Sequence, residues 1–258
     1  MDLDSLPKCE AGFIVPMECL AVTRLPDGPE WLYEIKLDGY RAIAINSRGK
    51  VSLFSKNRKS FNRQYPYIIE ALSDLPENTV VDGEVVALDD AGRPDFNLLQ
   101  HSRSQAARIC YFVFDLLICE NHDLTRLPFI ERRQIMNSVL KFRSSRICVA
   151  QHFEASAEEM VRAVRQQGLE GVIAKRKDSR YEAGKRSGAW AKYRLNRGQE
   201  LVIGGYVPEP MVWIPSSLVT TEPRNCFTSP GLGTDLCLPH EDKSSRGCAP
   251  WKSRSVHS

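Results

Sequence analysis

Trp31-Leu-Tyr-Glu-Ile-Lys-Leu-Asp-Gly-Tyr-Arg41 is the segment from which the fold of this chain can be inferred. Between Tyr33 and Asp38 apolar and charged side chains alternate, which is the period of a half-buried strand and puts three charges on one face. Gly39 then permits a tight turn, and the apolar run after it resumes a strand. The segment predicts a bend between two strands, with Lys36 presented at the bend.

An ordinary surface strand explains these charges equally well when the segment is taken alone. A ladder of Glu34, Lys36 and Asp38 on a solvated face contributes little to stability. The choice between a structural and a chemical role therefore depends on the other segments of the chain.

Length and composition describe an ordinary soluble globular protein. The 258 residues are 42% hydrophobic and 26% charged, enough for one large domain or for a large and a small one. The net charge of +3 is mild, so any preference for nucleic acid must come from local clusters of cations. The N-terminus lacks the pattern of a signal peptide and no apolar run is long enough to span a membrane, which predicts a cytoplasmic protein without membrane contact.

The eight cysteines are predicted to stay reduced, because nothing directs secretion and a chain of this size needs no disulfide staples. Cys110, Cys119 and Cys148 lie in or beside apolar runs and are predicted to act as small buried hydrophobes. Three others recur every eleven residues near the C-terminus, at positions 226, 237 and 248, but this spacing lacks the close pair of a zinc site.

The patterns outside the first segment predict a mixture of short strands and a few helices. Helices are expected over residues 65–75, over 96–104, over 128–142 with a basic outer face, and over 155–168 with Ser156 as N-cap and Glu159 completing a capping box. Strands are expected over residues 51–54, 79–88 with an interruption at Asp82-Gly83-Glu84, 109–118 as a central strand, 169–176, and 199–206.

A cluster of nine cations occupies residues 175–197, opposed only by Asp178 and Glu182. Aromatic residues are interleaved with these cations. A solvated basic face is one explanation, and a groove for a phosphate backbone is the other, favoured here because the whole chain is only mildly basic.

Five segments, in order, resemble the motifs of the covalent nucleotidyltransferases, which include DNA ligases, RNA ligases and mRNA capping enzymes. They are Lys36-x-Asp38-Gly39-x-Arg41, Ser55-Lys56-Asn57-Arg58, Asp82-Gly83-Glu84, Glu170-Gly-Val-Ile-Ala-Lys175 and Trp190-Ala-Lys192-Tyr-Arg194. The segment from Tyr111 to Leu117 resembles the strand whose aromatic residue stacks on adenine. The resemblance covers residues 15–206 and is nearest to the ATP-dependent ligase domain of bacterial end-joining DNA ligases. Three positions depart from the family pattern: Lys56 replaces arginine, Arg58 replaces glycine and Arg194 replaces lysine.

The resemblance implies an α+β fold in which two mainly antiparallel sheets with flanking helices hold a nucleotide between them. It implies that residues 1–206 form the adenylation domain. Residues 207–258 hold seven of the fifteen prolines and no sustained period of two or 3.6, so a Pro/Ser-rich tail of low order is expected there. In the family an oligonucleotide-binding barrel would normally begin at this point.

The implied chemistry is the joining of DNA ends at the expense of ATP. Lys36 would attack the α-phosphate and carry AMP, which then passes to a 5′-phosphate at a nick before the 3′-hydroxyl displaces it. The amine must first lose its proton, which the nearby carboxylates oppose and which a divalent cation, Mg²⁺ or Mn²⁺, would favour. The implied partners are nicked or broken double-stranded DNA and end-joining or other repair proteins, and a monomer is expected.

The resemblance also assigns roles to individual residues. The predicted catalytic residues are Lys36, Lys175 and Lys192. The predicted ATP-binding residues are Glu34 at the adenine edge, Phe114 stacked on the base, Arg41 and Lys56 near ribose or phosphate, Glu84 near the ribose, and Lys36, Lys175, Lys192 and Arg194 around the α-phosphate. The predicted metal-associated carboxylates are Glu170 and Glu84.

Two alternatives stay open at the level of sequence. The lysine motif is shared with RNA ligases and with guanylyl transfer by capping enzymes. The missing barrel, together with the loss of pattern after residue 206, also fits a truncated or degenerate nick-binding protein without full ligase activity.

Overall fold

Strands dominate the part of the chain that the computed structural model describes, which is residues 3–101, 108–195, 201–202 and 219–220. The strands are β1 Leu20–Ala21, β2 Trp31–Ile35, β3 Tyr40–Ser47, β4 Lys50–Ser55, β5 Thr79–Leu88, β6 Arg108–Cys119, β7 His122–Asp123, β8 Ile147–Val149, β9 Gly171–Arg176, β10 Trp190–Arg194, β11 Leu201–Val202 and β12 Val219–Thr220. The helices are α1 Pro66–Ala71, α2 Phe96–His101, α3 Phe129–Val139 and α4 Ala157–Gln166.

The chain separates into two units, Met1–Leu195 and Asn196–Ser258. In the second unit β11 pairs antiparallel with β12. Most of this unit lies outside the described residues, including most of the strand predicted over 199–206 and the cysteines at 226, 237 and 248. The domain boundary predicted after residue 206 stays a prediction.

The larger sheet of the first unit has the order β4-β3-β5-β6-β7, and β8 runs parallel to β6. The prediction that residues 109–118 form a central strand is confirmed, because β6 pairs with β5, β7 and β8 and is buried along most of its length. Its two inner cysteines, Cys110 and Cys119, are buried thiols as predicted, whereas Cys148 on β8 is half-buried.

The predicted interruption of the strand at Asp82-Gly83-Glu84 is wrong. β5 continues without a break, and its pairing with β6 shifts register between Asp82 and Gly83. A Cβ atom at position 83 would lie 2.5 Å from the carbonyl oxygen of Phe112, so glycine lets the two backbones approach closely enough to keep the ladder. The shift, typical of a β-bulge, absorbs the irregularity that the sequence suggested was a turn.

The smaller sheet has the order β1-β10-β9-β2. Val172 and Ala174 of β9 face α4 and pack with Met160 and Val164, which agrees with the predicted alternation along this strand. Helix α4 begins at the predicted N-cap, where Ser156 and Glu159 form the complete capping box.

The two sheets meet through a shared apolar cluster. Leu32 from β2 and Trp190 from β10 pack there with Ile43 from β3 and with Phe114 and Leu117 from β6. Such a face-to-face arrangement buries the inner face of both sheets.

The prediction that the third helix has a basic outer face is wrong, because its two arginines point inward. α3 occupies Phe129–Val139, and its two adjacent arginines, Arg132 and Arg133, are 0% and 3% exposed. Carboxylates buried on neighbouring strands explain this, since Arg132 pairs with Asp115 of β6 and Arg133 pairs with Glu34 of β2. Within the described ranges, no helix is both long and apolar enough to cross a membrane.

Candidate functional site

A cleft of about 360 Å³ opens between the two sheets. All nine of the predicted nucleotide-binding side chains line it, from seven different strands or the connections that follow them: Glu34, Lys36, Arg41, Lys56, Glu84, Phe114, Lys175, Lys192 and Arg194. Glu170, the remaining predicted residue, touches the cleft through an ion pair with Lys36. A cleft of this size suits a small ligand.

Lys36 stands at the crossing from one sheet to the other. β2 ends at Ile35, so Lys36 follows the strand instead of lying within it, and its amide donates to the carbonyl of Gly171 at 2.9 Å. Gly39 then lets the chain enter β3 of the larger sheet, because a Cβ there would lie 2.2 Å from the carbonyl oxygen of Val85. The predicted bend is confirmed, and it joins two different sheets.

The amine of Lys36 is held in the cleft by Glu170. One carboxylate oxygen of Glu170 pairs with this amine, and the other forms an ion pair with Nε of Arg194 at 3.2 Å. The Lys36 side chain is 14% exposed, so its amine stays accessible from the cleft. Glu170 therefore orients a lysine that a ligand can still reach.

One end of the cleft is a buried charge cluster centred on Glu34. The amine of Lys175 lies 2.8 Å from Oε2 of Glu34, and a guanidinium nitrogen of Arg133 lies 3.3 Å from Oε1. Burial raises the pKa of Glu34 and lowers the pKa of Lys175, while the ion pairs oppose both changes. Two cations around one carboxylate favour its ionised form.

Aromatic rings enclose the Lys175 amine. Its Nζ lies 4.3 Å from the ring centre of Trp190, 4.4 Å from that of Phe114 and 4.8 Å from that of Phe129. These distances are within the range of cation–π attraction. Together with the contact to Glu34, they fix the position of this amine in the wall of the cleft.

Arg41 is positioned by a buried carboxylate that sequence analysis did not assign a role. Its Nε and terminal nitrogen bind the two oxygens of Asp82 at 2.9 and 2.6 Å, and the hydroxyl of Tyr181 donates to the same carboxylate at 2.6 Å. The guanidinium lies 5.0 Å from the ring centre of Phe114. Arg41 therefore presents its charge beside the aromatic wall in one fixed orientation.

Three carboxylates lie near Lys36: Asp38, Glu84 and Glu170. Burial raises the pKa of Glu84 to about 7, and the positive charges of Arg41 and Lys36 partly oppose this rise. Burial and the neighbouring Glu170 likewise raise the pKa of Asp38. Hard carboxylate oxygens are the donors that Mg²⁺ prefers, although the described residues contain no group of three or more side chains placed to hold a metal by themselves.

We expect Glu84 to make stability depend on pH. Its folded-state pKa of about 7 exceeds the ordinary value of 4.5, so its contribution to stability is present at low pH and is lost as the pH rises through 7. Relative to Glu84→Gln, the wild-type free energy of unfolding should fall by about 2–3 kcal/mol between about pH 5 and about pH 8. Urea unfolding of both proteins at the two pH values measures this, and parallel pH profiles would contradict it.

Several residues in and around the cleft were not predicted from the sequence. Glu18, which forms an ion pair with Arg186 of the predicted cation cluster, and Cys19 both line the cleft. Arg133 was missed because an arginine on an amphipathic helix is normally solvated. Asp82 lies in the motif Asp82-Gly83-Glu84, but the family resemblance assigned a role only to Glu84.

The predicted basic groove is divided by the fold. Lys175, Arg186, Lys192 and Arg194 line the cleft, whereas Arg176 pairs with Asp178 and Lys177 with Glu154 outside it. Arg197 lies outside the described residues.

Comparison with known proteins agrees with this geometry. The model of the ATP dependent DNA ligase domain family matches residues 19–194. The multifunctional non-homologous end joining DNA repair protein LigD of Mycobacterium tuberculosis is 34% identical over 178 residues, which are 69% of this chain and 23% of that protein. The DNA ligase-like protein LigB, from the SPbeta prophage of Bacillus subtilis, is 26% identical over 205 residues, 78% of this chain and 75% of that protein.

Solved structures give the same result. The structure of mycobacterial DNA ligase D complexed with ATP and MES matches with a TM-score of 0.65 at 31% identity, over 74% of this chain and 63% of that chain. The ligase domain of M. tuberculosis LigD matches with a TM-score of 0.62 at 31% identity, over 74% and 62%. The predicted α+β nucleotidyltransferase fold is confirmed. The chain spans less than a quarter of the LigD proteins, and the part that matches belongs to the ATP-dependent DNA ligase domain family.

Proposed function

We propose that this chain is the nucleotidyltransferase part of an ATP-dependent DNA ligase that acts in end-joining repair. The observation that carries the proposal is the position of Lys36, a reachable amine held by Glu170 in a cleft lined by all nine predicted nucleotide-binding residues. The family match supports the use of ATP, and the LigD relatives support DNA as the substrate and end joining as the role.

The proposed reaction starts at the Lys36 amine. After losing a proton, its nitrogen forms a bond to the α-phosphorus of ATP while the bond to the bridging oxygen breaks and pyrophosphate leaves. The lysine-bound AMP passes to the 5′-phosphate at a nick, and the 3′-hydroxyl then displaces AMP to seal the strand. Glu170 orients the amine, and Lys192 and Arg194 are placed to neutralise phosphate charge beside it.

The other end of the cleft suits a purine base. Glu34 supplies an acceptor and Lys175 a donor, side by side and fixed by burial, and Phe114 supplies an aromatic wall. An acceptor next to a donor complements the amino group and ring nitrogen of adenine and opposes the carbonyl and N–H of guanine. We therefore assign Lys175 to base recognition, because its amine pairs with Glu34 and is enclosed by aromatic rings, and leave the α-phosphate to Lys192 and Arg194.

A divalent metal fits the acidic side of the cleft. Glu170 and Glu84 are the residues that would hold Mg²⁺ or Mn²⁺. When bound, the ion supplies positive charge that stabilises the phosphate oxygens and favours the neutral form of a nearby amine.

A nick-sealing assay tests the proposed function. We expect the full chain with Mg²⁺ to seal a nicked DNA duplex with ATP, and to be at least about tenfold less active with GTP because the wrong base edge leaves buried polar groups unpaired. A nicked RNA duplex and GTP as preferred substrates would instead support an RNA ligase or capping-type enzyme. Nick binding without sealing would support the nick-binding alternative.

A further inference from the structure

A highly basic loop connects β4 to α1 beside the cleft. This basic loop, residues 55–65, contains four cations and no acidic residue, in a chain whose net charge is only +3. All four cations are exposed: Lys56, Arg58, Lys59 and Arg63. Among the residues that the structure describes, none of the four forms a salt bridge, whereas other exposed arginines such as Arg176 and Arg186 do.

The basic loop is held in one conformation by its own hydrogen bonds. The amide of Ser55 donates to the carbonyl of Lys59 at 2.8 Å, and the amide of Lys59 donates to Oγ of Ser55 at 3.0 Å. The amide of Leu53 donates to the side-chain oxygen of Asn62 at 2.8 Å, which ties the far end of the loop back to β4. Such a loop holds its cations close together despite their mutual repulsion.

Arg58 is fixed more tightly than an ordinary surface arginine. Its backbone is left-handed, with φ of 60°, and its guanidinium lies 5.7 Å from the ring centre of Phe13. A preorganised, unpaired guanidinium is suited to binding phosphate oxygens, because little side-chain freedom remains to be lost on binding.

The cations continue outward from the reaction site. Lys56 and Asn57 line the cleft, and the amide of Lys56 donates to the carbonyl of Arg41 at 3.2 Å. Arg58, Lys59 and Arg63 follow on the same loop but are not part of the cleft lining. A ligand that meets both the cleft and the loop must therefore be a polyanion longer than a nucleotide.

We propose that Arg58, Lys59 and Arg63 bind the sugar–phosphate backbone of the DNA strand whose 5′-phosphate end enters the cleft. This inference rests on the proposed function and adds the surface that docks the substrate. The three cations neutralise consecutive backbone phosphates beside the nick without reading the bases. They leave the nucleotide itself to the cleft residues.

The test compares two variants with equal loss of charge. The first is Arg58→Gln/Lys59→Gln/Arg63→Gln. The control is Lys141→Gln/Arg162→Gln/Arg165→Gln, which removes three exposed cations, one just after α3 and two on α4. Binding is measured on a nicked duplex with a 3′-dideoxy end, which prevents sealing, at several salt concentrations. Self-adenylation with labelled ATP is measured in parallel.

We expect the loop variant to bind the nicked duplex at least about tenfold more weakly than the wild type. If all three cations contact phosphates, a plot of the logarithm of the association constant against the logarithm of the salt concentration should be shallower by about 2.7 for the loop variant. The control should match the wild type. Equal affinity and slope in the loop variant, or the same loss in the control, would overturn the proposal. Failure of the proposed function would appear separately, as absence of label on the wild type, because self-adenylation needs no DNA.

Discussion

Replacing Asp115 with alanine is expected to lower the free energy of unfolding by about 3–5 kcal/mol, because it leaves the charge of Arg132 buried without its partner. Both side chains are 0% exposed, and two nitrogens of Arg132 bind the two oxygens of Asp115 at 2.9 and 2.7 Å. Arg132 also donates to the carbonyls of Leu127 and Ser179, so the loss should loosen the segment that leads to Tyr181 in the site. Chemical denaturation measures the change.

A matched pair on the surface supplies the control. Arg176 and Asp178 form the same two-point contact, at 3.0 and 2.7 Å, but their side chains are 46% and 63% exposed. Asp178→Ala should therefore cost only about 0–1 kcal/mol. Removing both buried partners, with Asp115→Leu and Arg132→Met, should recover much of the loss. An equal effect of Asp115→Ala and Asp178→Ala would show that burial is not the cause.

The elements that sequence predicted best are those whose signal is local. The Ser156 capping box and the apolar strand β6 depend on residues close together in the chain, so spacing alone indicated them. Two predictions failed where tertiary contacts decide. The bulge at Gly83 depends on the approach of the Phe112 backbone, and the inward turn of Arg132 depends on a carboxylate 17 residues away in the chain.

The candidate site divides in the same way. All nine residues to which the family resemblance assigned a nucleotide-binding role line the cleft. They could be predicted because each lies in or beside a motif that can be recognised locally in the sequence. The supporting residues were not indicated. Asp82 orients Arg41, which lies 41 positions away in the sequence, and Arg133 contacts Glu34, which lies 99 positions away. No local sequence pattern distinguishes a charged residue with such a distant partner from a charged residue exposed to solvent.

Lys36→Ala is expected to abolish formation of the covalent adenylate, because no other group in the cleft is assigned the bond to phosphorus. The Lys36→Arg variant shows whether the nucleophilic amine or only its positive charge is needed. Arginine keeps a cation beside Glu170, but its guanidinium stays protonated and cannot attack, so this variant should also form no adenylate. Lys141→Ala, which removes an exposed lysine bonded to the carbonyl of Asn137, should retain the wild-type amount.

The most direct measurement is transfer of label from α-labelled ATP, with Mg²⁺, to the full chain on a denaturing gel, followed by peptide mapping. We expect label on the wild type and on Lys141→Ala, mapped to the peptide that contains Lys36, and none on Lys36→Ala or Lys36→Arg. Label on Lys36→Ala, or its absence from the wild type, would contradict the assignment of Lys36 as the nucleophile.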